Sequence, residues 1–163
     1  MKRTKREKNG RFGCKAGTVG GETVKEIYVS KSGGSIVANY KKSPPEEKEN
    51  VEALKTFADK GSKVILRKAI NKTGVRSADC TIDGIKWEVK TNHKATVSAI
   101  DNAVHSCNGQ AKNLVLNIKS DISTKLVEKA FWKRIYRTNL EKIIVERNGV
   151  IEREYQRDEF IKK

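Results

Sequence analysis

The spacing of hydrophobic and polar residues along the chain predicts an α/β fold. Alternating runs bounded by Gly, Pro and Asn predict strands, and apolar residues at helical spacing predict helices between them. Gly61 directly follows the first helical run, as expected at the end of a helix. The predicted helices cover residues 46–60, 96–108 and 121–136, and the predicted strands and hairpins cover 23–30, 35–40, 64–66, 79–90, 113–119 and 143–151.

The dipeptide Asp83-Gly84 is a strong hairpin signal, because a two-residue type I′ turn needs positive φ at both central positions. Pairing outward from this turn sets Asp79 opposite Glu88. Because side chains alternate across a strand, one face of the hairpin is apolar and the other is polar. The apolar face carries Cys80, Ile82, Ile85, Trp87 and Val89, and the polar face carries Asp79, Thr81, Lys86, Glu88 and Lys90.

The polar face of this hairpin predicts a metal-dependent active site. Two carboxylates directly opposite each other repel, which destabilises a sheet unless a cation lies between them. Asp79 and Glu88 are predicted to bind Mg²⁺ or Mn²⁺, since hard cations favour carboxylate oxygens. Lys90, on the same face, is predicted to position the attacking water or to neutralise a phosphate. The alternative is an exposed hairpin face on which Lys86 and Lys90 screen the two acids.

The same residues resemble a known nuclease motif. Asp79, followed after eight residues by Glu88-Val89-Lys90, resembles the D…(D/E)xK core of the PD-(D/E)XK nuclease superfamily. Ala78 stands where that motif often has Pro. A longer string resembles the C-terminal tRNA nuclease domains of contact-dependent inhibition (CdiA-type) toxins and related phage and mobile-element proteins, over about residues 22–152. The resemblance is densest from 78 to 118, at Ala78-Asp79, Ile82-Asp83-Gly84, Trp87-Glu88-Val89-Lys90 and Gly109-Gln110-Ala111.

This resemblance implies a fold, an activity and partners. The implied fold is a PD-(D/E)XK nuclease-like core, a mixed sheet flanked by helices, with an N-terminal hairpin and a C-terminal hairpin and helix. The implied activity is that of a metal-dependent endonuclease of toxin type, with tRNA or other RNA favoured over DNA. A cognate immunity protein is the implied partner, and the oligomeric state stays open.

Three further residues are candidates for the site. The superfamily often carries a carboxylate on its first helix, and Glu47 lies on the same helical side as the apolar stripe. Glu47 is therefore a predicted metal ligand, with an ordinary solvated glutamate as the alternative. The Val89 carbonyl is a further predicted ligand. Gln110 resembles the glutamine that follows the second helix in the family and is a predicted catalytic residue, with a helix-end polar residue as the alternative.

The charge of the chain favours a nucleic-acid partner. Lys and Arg number 35 against 20 Asp and Glu, which gives a formal net charge of +15. The electric field of a protein with this charge attracts the phosphate backbones of nucleic acids. Residues 1–21 are predicted to form a basic flexible arm, and residues 22–163 a single nuclease-like domain. The residues predicted to contact the nucleic-acid backbone are Arg67, Lys68, Lys86, Lys94 and Lys112.

Cysteine content and hydropathy predict a protein that acts in the cytoplasm and binds no membrane. Cys14, Cys80 and Cys107 are odd in number and lack CxxC spacing, which is typical of reduced thiols. No hydrophobic run follows the basic start, and none approaches the length of a membrane span.

Other functions fit the same sequence. A DNA endonuclease of a phage or mobile element would use the same motif. A non-catalytic nucleic-acid-binding module would need only the basic side chains. A metal-independent ribonuclease would use His93 or His105 as acid and base. A single-strand RNA binder fits least, because aromatic residues are few and no ring-rich basic motif is evident.

Overall fold

The computed structural model describes residues 16–19, 22–38, 47–67, 73–74 and 76–161. The chain divides into two compact units. The first unit contains residues 1–68 and 80–85, and the second contains residues 69–79 and 86–163. Each unit combines strands with helices, so the mixed α/β class predicted from the sequence is confirmed.

The sheet of the first unit has five strands that neighbour one another in sequence order. They are β1 (Ala16–Val19), β2 (Glu22–Val29), β3 (Ser35–Ala38), β4 (Lys63–Leu66) and β5 (Cys80–Ile82), with helix α1 (Lys48–Asp59) between β3 and β4. Neighbours are antiparallel except β3 and β4, which are parallel because α1 carries the chain back between them. The β2–β3 pair is the predicted N-terminal hairpin.

Helix α1 packs one apolar side against β3 and β4. Its predicted stripe of Val51, Leu54, Phe57 and Ala58 is buried, which confirms that prediction. Gly61 adopts a φ of +95°, a conformation that glycine reaches without steric cost, and the chain leaves the helix there.

Gly34 lies where the turn between β2 and β3 meets the end of α1. A Cβ atom at this position would overlap the Ala58 carbonyl oxygen and would lie 2.8 Å from the Ser62 carbonyl oxygen. Both are backbone atoms, so rotation of a side chain cannot make room. Only glycine allows the turn and the helix to approach so closely.

The second unit is built from two consecutive strand–helix–strand crossovers and a final hairpin. Its elements are β6 (Ile85–Asn92), α2 (Val97–Ser106), β7 (Asn113–Ile118), α3 (Thr124–Arg134), a 3-10 turn (Ile135–Arg137), β8 (Lys142–Arg147), β9 (Val150–Gln156) and α4 (Arg157–Ile161). β6, β7 and β8 are parallel, and β9 is antiparallel to β8. The final hairpin turns at Asn148 and Gly149, both at positive φ, as predicted.

Helices α2 and α3 pack against each other and cover one face of this sheet. Leu114, Ile143 and Tyr155 occupy one row across β7, β8 and β9, and all three are buried. Phe131 of α3 meets Tyr155 edge to face, with ring centroids 5.1 Å apart. The core on this face therefore joins both helices to three strands.

A partly buried ion pair joins the two helices of the second unit. Arg134 Nε and Nη2 donate to the two carboxylate oxygens of Asp101 at 2.8 and 2.7 Å. These hydrogen bonds hold the pKa of the Asp101 carboxyl below its usual range. The paired geometry fixes α2 against α3.

The division of the chain into a basic arm (1–21) and a single domain (22–163) stays a prediction. Two features differ from the sequence-based expectation. Strand β1, which lies within residues 1–21, was not predicted. Ile85, predicted on the apolar face of the hairpin, is 55% exposed because it directly follows the turn. Among the described residues, no helix is both long and apolar enough to cross a membrane.

We expect Gly34→Ala to destabilise the protein by about 3 kcal/mol or more, because the added Cβ meets backbone atoms. Gly33→Ala is the matched control. Its φ of +91° is unfavourable for alanine, but its Cβ would enter open space, so it should cost only about 1–2 kcal/mol. Urea denaturation of both variants tests this order, and equal losses of stability would contradict the proposed overlap.

Candidate active site

The hairpin turn that was predicted to position the acidic residues is present. Asp83 and Gly84 have φ values of 50° and 84°, as a type I′ turn requires. Asp83 also accepts a hydrogen bond from the Lys63 backbone N–H at 2.8 Å, and its own N–H donates to the Lys63 carbonyl. The turn is therefore held by β4 as well as by its own backbone preference.

Glu88 lies in the middle of β6 with its side chain fully buried. In the parallel pairing of β6 with β7, Glu88 lies beside Leu114 and Lys90 beside Leu116. Paired residues share a face of the sheet, so Glu88 points to the side that α2 and α3 cover. The alternative of a solvated hairpin face therefore does not hold at Glu88.

Lys90 is the cation closest to this carboxylate. Its Nζ lies 2.7 Å from Glu88 Oε1, and one third of the lysine side chain remains accessible to solvent. The contact is an ion pair, and among the described residues neither Glu88 oxygen meets the geometric definition of a hydrogen bond. A buried carboxylate without hydrogen bonds is unusual in proteins and indicates a functional group.

Asp79 is held beside the same strand by the backbone. The Val89 N–H donates to Asp79 Oδ2 at 2.9 Å, which fixes one carboxylate oxygen. The negative charge of Asp79 acts on both Glu88 and Lys90. The structure thus brings together three of the four predicted catalytic residues, with Val89 between Glu88 and Lys90.

The electrostatics of this cluster favour a proton on Glu88. The pKa of Glu88 is raised from 4.5 to about 7, because burial, the largest cause, and the Asp79 charge together outweigh the lowering effect of the Lys90 ammonium. For Lys90, burial alone would lower the pKa, but the Glu88 and Asp79 carboxylates outweigh burial and raise it. Lys90 therefore stays charged at neutral pH, whereas Glu88 is poised to gain or lose a proton.

Cys107 belongs to the surroundings of this cluster, which the sequence did not reveal. Its thiol is buried at the end of α2 and donates to the Ala103 carbonyl at 3.1 Å. Burial first, and then the Glu88 charge, raise the pKa of Cys107 to about 12. The thiol is thus an uncharged neighbour of Glu88. No spacing in the sequence links residue 107 to residue 88, because α2 brings them together only on folding.

A cavity of about 400 Å³ opens near the start of β6 and β7. It is lined by Lys86, Gly109, Gln110, Ala111, Lys112, Asn113 and Asn139. Lys86 precedes Glu88 by two residues on the same strand, which places the cavity about 7 Å along β6 from the carboxylate. Two lysines and three amide side chains are among the lining residues.

Gln110 lies in this cavity wall rather than in the carboxylate cluster. Its Nε2 donates to the Ser106 carbonyl at 3.1 Å. Among the described residues it makes no hydrogen bond to Asp79, Glu88 or Lys90. The catalytic role that the resemblance implies for Gln110 stays a prediction.

The remaining predicted residues are dispersed. Glu47 is the N-cap residue of α1 in the first unit, is exposed and makes no side-chain cap, so its metal-binding role stays a prediction. Lys86 and Lys94 are exposed, and Arg67 is partly buried. Lys112 forms an exposed ion pair with Glu141 at 2.9 Å. Lys68 lies outside the described residues, and the backbone-binding roles of the other four stay predictions.

The residues present fit a hard divalent cation in number and type. Mg²⁺ is commonly held by one or two carboxylates while water and substrate phosphate complete its shell. Asp79 and Glu88 supply two carboxylates, and the Glu88 oxygens lack hydrogen bonds among the described residues. Within the described part of the chain, His, Cys, Asp and Glu do not form a group of three or more around one point. The donor set therefore fits an open site and not a fully enclosed one.

The region that contains this cluster is similar to a known family. Residues 76–151 match the contact-dependent growth inhibition CdiA C-terminal domain. The match includes Asp79, Glu88, Lys90 and Gln110. The resemblance noted from the sequence is confirmed to that extent.

One solved structure, a CdiA-CT/CdiI toxin and immunity complex from Burkholderia pseudomallei, is also similar to the chain. The match has 24% sequence identity and a TM-score of 0.46, and it covers 72% of this chain and 94% of the other. None of the curated proteins matches the sequence.

We expect the metal-free protein to lose stability as the pH rises. The folded pKa of Glu88 is raised from 4.5 to about 7, so its contribution is full below pH 4.5 and is lost as the pH passes through 7. The loss should amount to up to about 3 kcal/mol across that window. Chemical denaturation in EDTA at pH 5 and pH 8 measures it. Glu88→Gln should remove most of this dependence, and an unchanged dependence in that variant would contradict the assignment.

Proposed function

We propose that the chain is a metal-dependent endonuclease that hydrolyses phosphodiester bonds of nucleic acid. One observation carries this proposal: the fully buried Glu88 carboxylate, without hydrogen bonds among the described residues, lies against Lys90 and within the field of Asp79. Keeping such a carboxylate out of water is costly. So unfavourable an arrangement is better explained by a catalytic or ligand-binding role than by a contribution to the stability of the fold.

Each residue has a distinct role in the proposed reaction. Asp79, oriented by the Val89 N–H, and Glu88 hold the divalent ion, and the Val89 carbonyl and Glu47 are proposed further ligands. Lys90 keeps its positive charge, so its Nζ orients the attacking water and stabilises negative charge on the phosphate. When bound, the divalent ion supplies Lewis-acid stabilisation of the phosphate and lowers the pKa of coordinated water.

The proposed substrate is a polyanion, with tRNA or other RNA favoured over DNA. The net charge of +15 and the lysines around the cavity support a nucleic acid. The preference for tRNA is supported by the resemblance of the motif to CdiA-type toxins and by the family match over residues 76–151. By the same reasoning we propose that the protein acts as a toxin in the cytoplasm and has a cognate immunity protein.

We expect Glu88→Gln and Lys90→Ala each to lower cleavage at least about a hundredfold while nucleic-acid binding persists. The assay incubates the protein with total tRNA and with duplex DNA, with Mg²⁺ and with EDTA. Glu146→Gln is the matched control, because it changes another buried glutamate of the same sheet that lies away from Asp79 and Lys90. This control should retain activity.

The same assay separates the alternatives. Cleavage that persists in EDTA would favour a metal-independent ribonuclease with His93 or His105. Binding of either substrate without cleavage under any divalent ion would favour the non-catalytic module. Cleavage of duplex DNA alone would overturn the preference for RNA.

We expect the affinity for Mg²⁺ to rise about tenfold per pH unit up to pH 7 and then to level off. The reason is that the proton on Glu88 must leave before the carboxylate can bind a cation. Isothermal titration calorimetry in two buffers of different ionisation enthalpy measures the released proton. In Glu88→Gln both the proton release and most of the affinity should be absent. Wild-type binding that is independent of pH would contradict Glu88 as a ligand.

A further inference from the structure

The exposed side of α3 and the following 3-10 turn forms a surface of basic and aromatic residues. Trp132 is 53% exposed and Tyr136 is 55% exposed. We call this side the α3 surface, and it consists of Lys125, Leu126, Lys129, Trp132, Lys133, Tyr136 and Arg137. Two large rings that remain in water on one helix side are an uncommon exposure for a folded protein and indicate a binding partner.

The positive charges of the α3 surface are not held in close ion pairs. Within the described residues, the four cations lie within ion-pair distance of no carboxylate, and the Asp101 charge, which is already paired with Arg134, acts on Lys133 only at longer range. The nearest acid of the helix, Glu128, is already engaged, because it accepts from Arg153 at 2.9 Å and from Tyr155 at 3.0 Å. The surface therefore attracts an anionic partner.

The two rings are held so that part of each stays open. Trp132 packs edge to face on Phe160, with centroids 5.3 Å apart, which fixes the indole against α4. The Arg137 guanidinium lies over the Tyr136 ring at 5.2 Å. Trp132 lies in the last turn of α3 and Tyr136 lies four residues later in the 3-10 turn, so the two residues are about 6–8 Å apart along the helical segment.

We propose that the α3 surface binds a single-stranded polynucleotide. Unpaired bases would stack on Trp132 and Tyr136, and the flanking phosphates would contact Lys129, Lys133 and Arg137. Alternating rings and cations are the usual means of single-strand binding, because every base has a flat face and every linkage has a charge. The sequence Trp132-Lys133-Arg134-Ile135-Tyr136-Arg137 carries this pattern, although the low overall aromatic content concealed it.

A single strand explains the surface better than two other anionic partners. The bases of a duplex are stacked on one another, so a duplex would use the lysines and leave both rings in water. An acidic protein could also bury both rings, but the repeated order of ring and cation, at Trp132-Lys133 and at Tyr136-Arg137, matches the order of base and phosphate along a single strand. The proposal does not depend on hydrolysis, because binding at α3 requires none of Asp79, Glu88 or Lys90.

Intrinsic fluorescence gives a direct test on the full chain. The only other tryptophan, Trp87, is 5% exposed, so quenching by an added ligand reports on Trp132. The probes are oligothymidylate and oligouridylate of about twelve nucleotides, a length within the usual site sizes. Matched probes are a duplex of the same length and poly-glutamate, and a gel confirms that each oligonucleotide stays intact.

We expect both single strands to quench the emission and to bind about 5- to 150-fold more weakly to Trp132→Leu and to Tyr136→Leu, measured by fluorescence anisotropy of a labelled strand. Lys129→Gln should lower the slope of log affinity against log salt by about 0.7. The control Lys119→Gln, at an exposed lysine after β7, should leave quenching by the strand intact. Circular dichroism checks that each variant is folded.

The results separate this inference from the proposed function. Glu88→Gln should bind the strand like the wild type, so binding without cleavage would leave the inference intact and refute the nuclease. If the wild type cleaves nucleic acid but Trp132→Leu and Tyr136→Leu bind the strand as tightly as the wild type, the inference is refuted and the nuclease proposal stands. Quenching by the duplex as strong as that by the single strand would overturn the inference. Equally strong quenching by poly-glutamate, which represents an acidic protein, would overturn it too. Absence of quenching at low salt would overturn it as well.

Discussion

The burial of Glu88 beside Lys90 is the interaction on which the proposed site depends. A carboxylate removed from water loses several kcal/mol of solvation, and one partly exposed ammonium offsets only part of it. The remaining imbalance is what raises the pKa of Glu88 to about 7. A second acid, Asp79, increases the imbalance, and it is held in place by a backbone N–H of the same strand. The fold thus maintains an arrangement that favours a cation.

The sheet of the second unit makes this arrangement rigid. Glu88 lies in a row with Leu114, Ile143 and Tyr155, and each of these neighbours is buried under the helices. The Asp101–Arg134 pair in turn fixes the two helices against each other. Displacing Glu88 would therefore require the core to open, which is a physical reason for a carboxylate to persist in an unfavourable environment.

The sequence predicted the elements of the fold well, because each has a local cause. The alternation of apolar and polar residues located the strands, and helical spacing of apolar residues located the helices. Residue types that tolerate positive φ located the turns at Gly84 and Gly149. Ser123, a residue type that favours helix N-termini, accepts from the Leu126 N–H at the start of α3. Strand β1 was missed although it pairs locally, with Val19 opposite Glu22, because the basic composition of the segment outweighed the hairpin signal of Gly20-Gly21 in the sequence.

The environment of the site could be predicted only in part. Alternation showed that Glu88 and Lys90 share a face, but it could not show that helices cover that face. Burial of Glu88 and the proximity of Cys107 therefore became visible only in three dimensions. The same limit concealed the α3 surface, because composition averages over the chain whereas a helix displays only one side of its sequence.

The position of Cys107 gives the protein a built-in reporter of local opening. Its thiol is fully buried and its pKa is about 12, so it cannot react with a water-soluble disulfide reagent in the closed state. Modification must wait for α2 to separate from the sheet. Because Cys14 and Cys80 also carry thiols, the labelling rate of Cys107 has to be followed by mass spectrometry of its own peptide, and that rate measures how often the surroundings of Glu88 open.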